Sequence, residues 1–281
     1  MAPIPYLFIL NKMNKLQPKI GAHVSVAGGL WNAVSNASSI GAECFQIFGS
    51  NPRGWHTKFP DKETLGRFKN DLNRAGLGPV YLHASYLPNL ANDDKEARKK
   101  SIRNLAEHLK ISEMIKGRGL IFHLGSGVGS RLERVAEGIK EVLKKVPGKS
   151  FLIMENSSGG GNKVGSTAEE VKKIYDLVKD NRVKICIDTA HAFEAGEELE
   201  SFLKLPGVIV IHANDSKTAF GSKNDRHENI GDGLIGMEEF RKLAKDERLL
   251  KMDWLLEVPG YSKTGPDKKA VDILKSCFVI S

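Results

Sequence analysis

The sequence repeats one unit along most of its length, in which a short apolar run is followed by a polar residue, a loop and an amphipathic stretch. The apolar runs occupy residues 20–24, 44–48, 80–83, 120–124, 151–155, 183–188, 208–212 and 254–258. Runs of this length that are apolar at nearly every position are typical of strands buried on both faces of a parallel sheet. The repeat therefore predicts eight parallel β-strands joined by helices.

Between the runs, apolar residues recur with the period of an α-helix. Leu65, Phe68 and Leu72 are three and four residues apart, and Ser166 with Glu169 predicts a capping box at the start of another helix. Alternating strands and helices predict an α/β fold, and eight such units predict a single-domain (β/α)8 TIM barrel. Its active site is expected at the C-terminal ends of the strands. The alternative fold is an open, doubly wound sheet.

The domain organisation follows from the lack of any linker rich in Pro, Gly or Ser. We predict one barrel domain over residues 19–281, preceded by an N-terminal extension, residues 1–18, that is poorly ordered. The three cysteines lack the spacing of a disulfide framework or a zinc ribbon, and no run is long enough for a membrane span. We therefore expect a cytoplasmic protein that does not associate with a membrane, and we expect it to be a monomer.

The chain is basic, with 42 Lys and Arg against 34 Asp and Glu and a net charge of +8. Basic surfaces attract and steer nucleic acids. Charge alone leaves a second interpretation equally open, namely a protein that is basic without binding any polyanion.

The polar residues that end the apolar runs carry the strongest functional signal. These residues are His23, His83, His123, Glu155, Asp188, His212 and Glu257. In a TIM barrel the carboxyl ends of all strands meet around one mouth, so residues far apart in sequence converge there. A folding role does not explain the pattern, because barrel interiors favour Val, Ile and Leu. Imidazoles and carboxylates gathered at one place predict a site for zinc or a similar divalent metal.

Two local clusters add further candidate ligands. His191 lies three residues after Asp188, and Asp225 and His227 are two residues apart, so their side chains face the same way in an extended segment. A catalytic zinc takes about three protein ligands, so nine candidates suggest three ions. The nine are His83, His123, Glu155, Asp188, His191, His212, Asp225, His227 and Glu257.

Other histidines receive different interpretations. Taken singly, a histidine at a strand end is more often a core or loop residue than a ligand, and a lone carboxylate more often caps a helix. We expect His23 to support the ligands from outside the metal shell. We interpret His56 and His108, which have no comparable neighbours in the pattern, as surface residues.

With these motifs in place, the chain resembles the endonuclease IV family, also called apurinic/apyrimidinic endonuclease family 2. The matching segments are Gly21-Ala22-His23-Val24-Ser25, Asn51-Pro52-Arg53-Gly54-Trp55, His83-Ala84-Ser85-Tyr86-Leu87, Asp188-Thr189-Ala190-His191-Ala192-Phe193, His212-Ala213-Asn214-Asp215-Ser216-Lys217, Asp225-Arg226-His227-Glu228-Asn229-Ile230-Gly231 and Leu256-Glu257-Val258-Pro259. They span nearly the whole chain.

The resemblance implies three zinc ions per chain. It places His83 and His123 on the first ion, with Glu155 bridging to the second. Asp188, His212 and Glu257 complete the second site. The remaining candidates, His191, Asp225 and His227, bind the third ion.

The resemblance also implies a reaction in DNA base excision repair. The enzyme hydrolyses the phosphodiester on the 5′ side of an abasic site in double-stranded DNA, and leaves a 3′-hydroxyl and a 5′-deoxyribose phosphate. We expect Glu257 and Glu155 to be catalytic, with Glu257 orienting the attacking water or accepting its proton. Arg53 and Tyr86 are implied to insert into the damaged duplex, because a missing base is recognised by shape and by a flipped nucleotide.

Two other functions compete with this interpretation. A sugar isomerase or epimerase uses a dinuclear site that Glu155, Asp188, His212 and Glu257 alone would satisfy. It leaves the other five candidates unexplained, and their imidazoles favour zinc over the magnesium or manganese of such isomerases. A non-catalytic DNA-binding protein on the same fold is the second alternative, but such a protein is expected to have lost ligands.

Overall fold

The computed structural model of the protein describes residues 18–279, and its main element is a closed barrel of eight parallel strands. The barrel strands are β1 Ile20–His23, β2 Cys44–Phe48, β3 Val80–His83, β4 Gly119–His123, β5 Phe151–Glu155, β6 Val183–Asp188, β7 Val208–His212 and β10 Asp253–Leu256. Strands β8 (Asp215–Ser216) and β9 (His227–Glu228) form a separate antiparallel pair. The barrel closes where Ile20 of β1 lies opposite Trp254 of β10. The predicted TIM barrel is therefore confirmed, and the open sheet is excluded.

Helices follow the strands and cover the outside of the barrel. They are α1 Asn32–Ser39, α2 Lys62–Ala75, α3 Lys95–Ile115, α4 Arg131–Lys145, α5 Ala168–Val178, α6 Thr189–Ala195, α7 Leu199–Leu203, α8 Met237–Leu243 and α9 Lys268–Ser276. Apolar side chains from strands and helices interlock between the two layers, as where the ring of Phe68 packs edge-on against Phe45. This layer is the main hydrophobic core.

Several helices begin at a side chain that accepts a backbone N–H. Asp61 caps α2 and Thr167 caps α5, accepting from Thr64 N and Glu170 N respectively. The predicted capping box at Ser166 and Glu169 was wrong by one residue. The backbone of Thr167 is extended, and its hydroxyl accepts a hydrogen bond from the backbone N–H of Glu170. The Glu170 carboxylate in turn accepts from Gly165 N.

The inside of the barrel contains one apolar layer built from alternate strand residues. Its members are Cys44, Tyr81, Ile121, Ile153, Cys186, Val210 and Leu255, all fully buried. Side chains alternate across a strand, so the residue two positions further along each strand points to the same interior, one layer nearer the carboxyl ends. This register decides which side chains reach the mouth.

The strand bounds differ from the prediction by one or two residues in β1, β4 and β10. Strand β4 begins at Gly119, where a Cβ atom would lie 2.7 Å from the Phe151 carbonyl oxygen, so only glycine fits between its neighbours. Strand β10 ends at Leu256, which leaves Glu257 in the first position of the following loop. Among the helices of residues 18–279, none combines the length and the apolarity that crossing a bilayer requires. Residues 1–17 of the predicted extension lie outside the described residues.

Candidate active site

The mouth of the barrel is lined by the polar layer that follows the apolar one. Each member stands two residues beyond an apolar interior residue or, on β1, beyond Gly21. The layer consists of His23, Gln46, His83, His123, Glu155, Asp188, His212 and Glu257. Seven of these were predicted from the sequence, and the structure brings all seven together. Three groups of side chains at this mouth have ligand atoms within 4.8 Å of one another and so are able to hold metal ions.

The first cluster contains His83, His123 and Glu155. The Nε2 atoms of His83 and His123 lie 3.0 and 3.1 Å from Glu155 Oε2. His83 Nδ1 donates to the carbonyl oxygen of Ala84 at 2.8 Å, which leaves the Nε2 lone pair facing the cluster. Such an outer hydrogen bond fixes the tautomer of a metal-binding histidine.

The second cluster contains Glu155, Asp188, His212 and Glu257. His212 Nδ1 is 3.0 Å from Glu155 Oε1 and 3.4 Å from Glu257 Oε2. The two oxygens of Glu155 therefore face different clusters, Oε2 the first and Oε1 the second. A carboxylate in this position is placed to bridge two ions.

The third cluster joins Asp188 and His191 to the segment around β9. His191 Nε2 lies 3.2 Å from Asp225 Oδ2, and His227 Nε2 lies 3.6 Å from both Asp225 Oδ1 and Asp188 Oδ2. Asp225 and His227 face the same way, as their spacing predicted. Asp188 Oδ2 lies within reach of the second and the third cluster, a sharing that the sequence did not suggest.

The charges in the site depend on one another. Burial opposes ionisation of Glu155, but His123 and His212 outweigh it and hold the pKa of Glu155 well below its usual range. Burial also favours neutral His191, yet Asp188 and Asp225 raise the pKa of His191 to about 10. Glu155 is thus ionised while His191 holds a proton, so a cation that binds His191 releases that proton.

One atom tests whether the third cluster suits a metal. His227 Nε2 is buried and has no hydrogen-bond partner among residues 18–279, although two carboxylate oxygens lie 3.6 Å away. An unpaired buried nitrogen is costly, and a cation between these groups satisfies all of them. The donor set of two imidazoles and two carboxylates fits a divalent metal.

Residues outside the clusters hold the ligands in place. The Gln46 amide donates to Glu257 Oε1 at 2.5 Å and to His23 Nδ1 at 2.9 Å, while its Oε1 accepts from His212 Nε2 at 2.9 Å. Asn214 donates to Asp188 Oδ2 at 2.7 Å and accepts from the backbone N–H of Glu257 at 2.8 Å. His23 lies beside Glu257 at 3.2 Å, in the supporting place expected for it.

Sequence reasoning missed Gln46 and Asn214. A side-chain amide is not a preferred metal ligand, so the residue type of Gln46 and Asn214 gave no sign of a place in the site. A signal for Gln46 did exist, because it stands two residues beyond the interior Cys44, at the same register as the ligands. Asn214 follows the end of β7 by two residues and has no comparable marker.

The two remaining histidines are placed differently. His56 is exposed, as predicted. The surface prediction for His108 was wrong: it is fully buried, and its Nε2 lies 2.8 Å from Ser50 Oγ. His108 lies on the face of α3 that packs against the barrel, where burial lowers its pKa to about 4 and keeps the ring neutral.

Arg53 and Tyr86 lie on two adjacent loops at the mouth. Tyr86 N donates to Pro52 O at 3.0 Å, which ties the loop after β3 to the loop after β2. The Tyr86 side chain is 58% exposed, and its ring stacks on His123 with centroids 6.1 Å apart. Arg53 is exposed. An open cavity of about 550 Å³, lined by Tyr86 and by Pro52 next to Arg53 in the chain, reaches His227 and Glu257.

Comparison with known proteins agrees with this geometry. Residues 34–277 match a family described as the xylose isomerase-like TIM barrel. A probable endonuclease 4 from Halothermothrix orenii is 34% identical over 275 residues, covering 92% of this chain and 99% of the relative. One from Aquifex aeolicus is 35% identical over 267 residues, covering 88% and 93%.

Solved structures extend the comparison. The crystal structure of endonuclease IV from Thermus thermophilus superposes with a TM-score of 0.83 at 32% identity, covering 92% of this chain and 98% of that one. A D-tagatose 3-epimerase-like protein superposes with a TM-score of 0.70 at 17% identity, covering 92% and 96%, and so shares the fold alone. On the sequence relatives and the first of these structures, the chain belongs to the endonuclease IV family.

Proposed function

We propose that this protein is a zinc-dependent apurinic/apyrimidinic endonuclease that hydrolyses the phosphodiester 5′ to an abasic site in double-stranded DNA. The observation that carries the proposal is the convergence of three contiguous ligand clusters at one barrel mouth. The names of the relatives, probable endonuclease 4 and endonuclease IV, support the activity.

The ligand types favour zinc over harder cations. Each cluster contains at least one imidazole nitrogen, whereas magnesium and manganese prefer sites built from oxygen ligands. We assign His83, His123 and Glu155 to the first ion. The second ion takes Glu155, Asp188, His212 and Glu257, and the third takes His191, Asp225 and His227, with Asp188 Oδ2 close by.

Zinc, when bound, supplies Lewis acidity to the phosphoryl oxygens and lowers the pKa of the attacking water. Glu257 orients that water and accepts its proton. Its Oε1 accepts from the Gln46 amide, so Oε2 is the oxygen that faces His212 and the second cluster. Attack on phosphorus breaks the bond to the 3′-oxygen of the upstream nucleotide. The products are a 3′-hydroxyl, which takes up a proton, and a 5′-deoxyribose phosphate.

Recognition of the damaged duplex falls to the loops around the mouth. The net charge of +8 attracts the phosphate backbone without regard to sequence. Tyr86 offers an exposed aromatic ring, and Arg53 an exposed cation, on loops joined by one backbone hydrogen bond. We propose that both side chains enter the duplex at the abasic position, where unstacking is least costly.

The sugar isomerase alternative accounts for only part of the site. Its four-residue centre corresponds to the second cluster alone. The other five candidates, His83, His123, His191, Asp225 and His227, lie in two further groups beside it. These additional ligands support the nuclease.

The proposal is tested with a labelled duplex that contains one tetrahydrofuran abasic analogue, which cannot undergo β-elimination. We expect zinc-loaded protein to cut on the 5′ side of the analogue and to leave an end that a polymerase extends. Glu155→Gln should abolish cutting, while Glu169→Gln, a change to an exposed glutamate on α5, should not. Folded, zinc-loaded protein that leaves the duplex intact but epimerises a ketohexose would overturn the proposal.

A further inference from the structure

Glu194 is a buried carboxylate that the proposed reaction does not use. It lies on α6, three residues after His191, and its side chain is fully buried. Burial raises its pKa, against the opposing effect of hydrogen bonds from the Arg226 amide and the Ser216 hydroxyl. A buried carboxylate outside a metal shell is costly, so its presence calls for a function in this place.

Outside helix α6, Glu194 forms hydrogen bonds with the hairpin loop between β8 and β9, residues 217–226, and with Ser216, the residue just before it. Its Oε1 accepts from Ser216 Oγ at 2.8 Å, from Thr218 Oγ1 at 3.3 Å and from the backbone N–H of Arg226 at 3.0 Å. Its backbone carbonyl accepts from Lys223 N at 2.8 Å. One residue thus holds the beginning, the middle and the end of the loop.

The end of this loop contains two of the proposed ligands. Arg226, whose amide Glu194 holds, stands between Asp225 and His227 in the chain. The loop is exposed from residue 219 to residue 226, and its tip also meets α6 at Phe193, whose ring packs edge-on against Phe220 and whose carbonyl oxygen accepts from Gly221 N at 3.0 Å. These contacts hold the tip of the loop, whereas Glu194 holds the end that bears the ligands. Lys217 N donates to Arg226 O at 2.8 Å, which closes the base of the hairpin but does not connect it to α6.

The helix that carries Glu194 also carries the opposite side of the third cluster. His191 lies one turn earlier on α6 and faces Asp225 at 3.2 Å. We infer that Glu194 is a positioning residue for the third metal site, because it fixes the loop bearing Asp225 and His227 against the helix bearing His191. This inference rests on the proposed function for the identity of the bound ion.

The test compares Glu194→Ala with Glu194→Gln, which keeps an oxygen that can accept the Arg226 amide. Glu198→Ala, a change to an exposed residue at the start of α7, is the matched control. Zinc per chain is measured after equilibration with zinc alone, and amide hydrogen exchange is followed across residues 217–227. Thermal unfolding checks that each variant is folded.

We expect wild type, Glu194→Gln and Glu198→Ala to bind three zinc ions, and Glu194→Ala to bind two. Exchange in the loop of Glu194→Ala should rise by about tenfold or more, because the side-chain hydrogen bonds that Ser216, Thr218 and Arg226 donate to Glu194 Oε1 are absent. Unchanged stoichiometry and unchanged exchange in Glu194→Ala would overturn the inference. So would loss of the third ion in Glu194→Gln with wild-type exchange, since charge rather than position would then be responsible.

The two proposals fail in different ways. Wild-type protein that binds fewer than three ions contradicts the metal assignment of the proposed function. Loop exchange still decides the role of Glu194 in that case. An increase confined to Glu194→Ala supports positioning, and no increase overturns it.

Discussion

Replacing Gln46 by Leu removes three hydrogen bonds from the second cluster while keeping a side chain of similar volume. These bonds join Gln46 to Glu257, His23 and His212, at 2.5, 2.9 and 2.9 Å. Without them, His212 has no acceptor to fix its tautomer, and its Nε2–H stays buried. Because the side-chain volume is nearly conserved, the effect of Gln46→Leu comes mainly from the missing hydrogen bonds and not from a cavity.

Supporting residues around metal ligands contribute about 10- to 100-fold to metal affinity or activity, which corresponds to about 1.4–2.8 kcal/mol. We expect Gln46→Leu to lower zinc affinity and kcat/KM on the abasic duplex by a factor in this range. Affinity is measured by chelator competition, and kcat/KM is measured with zinc in excess.

The control is Phe45→Leu, the neighbouring position on β2, which packs outward against Phe68 rather than into the site. Phe45→Leu should lower thermal stability, because it leaves a cavity in the core. Its zinc affinity should stay within about twofold of wild type. Gln46→Leu with wild-type affinity and activity would refute the positioning of His212 and Glu257 by Gln46. Equal reductions of zinc affinity in both variants would show that fold stability alone is responsible.

Three further predictions concern other parts of the molecule. Glu257→Gln should lower kcat by about 100-fold or more in the incision assay, because proton transfer is lost, while duplex affinity changes far less; comparable reductions in both would contradict its role. Tyr86→Ala should weaken binding to abasic duplex, measured by fluorescence anisotropy, by about 1 kcal/mol or more beyond its effect on intact duplex, and equal weakening would reject insertion. Burial raises the pKa of Asp253 above its ordinary value of 3.8, although the hydrogen bond from Tyr81 opposes this shift. The folded state therefore favours protonated Asp253. The stability that this protonation contributes is lost as pH rises through the raised pKa. Asp253→Asn should therefore gain stability relative to wild type as pH rises above about 3.8 in denaturant titrations, and a difference that does not depend on pH would contradict this assignment.

The fold was predictable because short apolar runs and helical periodicity alternate without interruption. Bounds shifted by one or two residues in β1, β4 and β10, and β4 includes Gly119, a position that the neighbouring backbone restricts to glycine. The α5 cap was misplaced because Thr167 and Glu170 repeat the Ser166 and Glu169 pattern one residue later. Because Ser and Thr both favour the N-cap position, residue type does not decide between Ser166 and Thr167 as the cap of α5.

The clusters of candidate ligands were predictable because imidazoles and carboxylates are unusual at the ends of apolar strands. Four features depended on the three-dimensional arrangement. Gln46 was recognisable only once the barrel register showed that it shares the interior with the ligands. The approach of Asp188 to two clusters and the contact of Glu194 with Arg226 arise from loops whose course the sequence pattern does not specify. His108 was misplaced because a lone polar residue on a helix does not reveal which face is buried.

Anomalous diffraction from crystals of zinc-loaded protein, recorded on both sides of the zinc absorption edge, locates each bound ion. We expect three peaks at the barrel mouth, each about 2.0–2.2 Å from its ligand atoms. Glu155 should lie between the first two peaks, and His191, Asp225 and His227 should surround the third. A single peak or pair confined to Glu155, Asp188, His212 and Glu257, with His191 and His227 unligated, would contradict the trinuclear site and favour an isomerase-like centre.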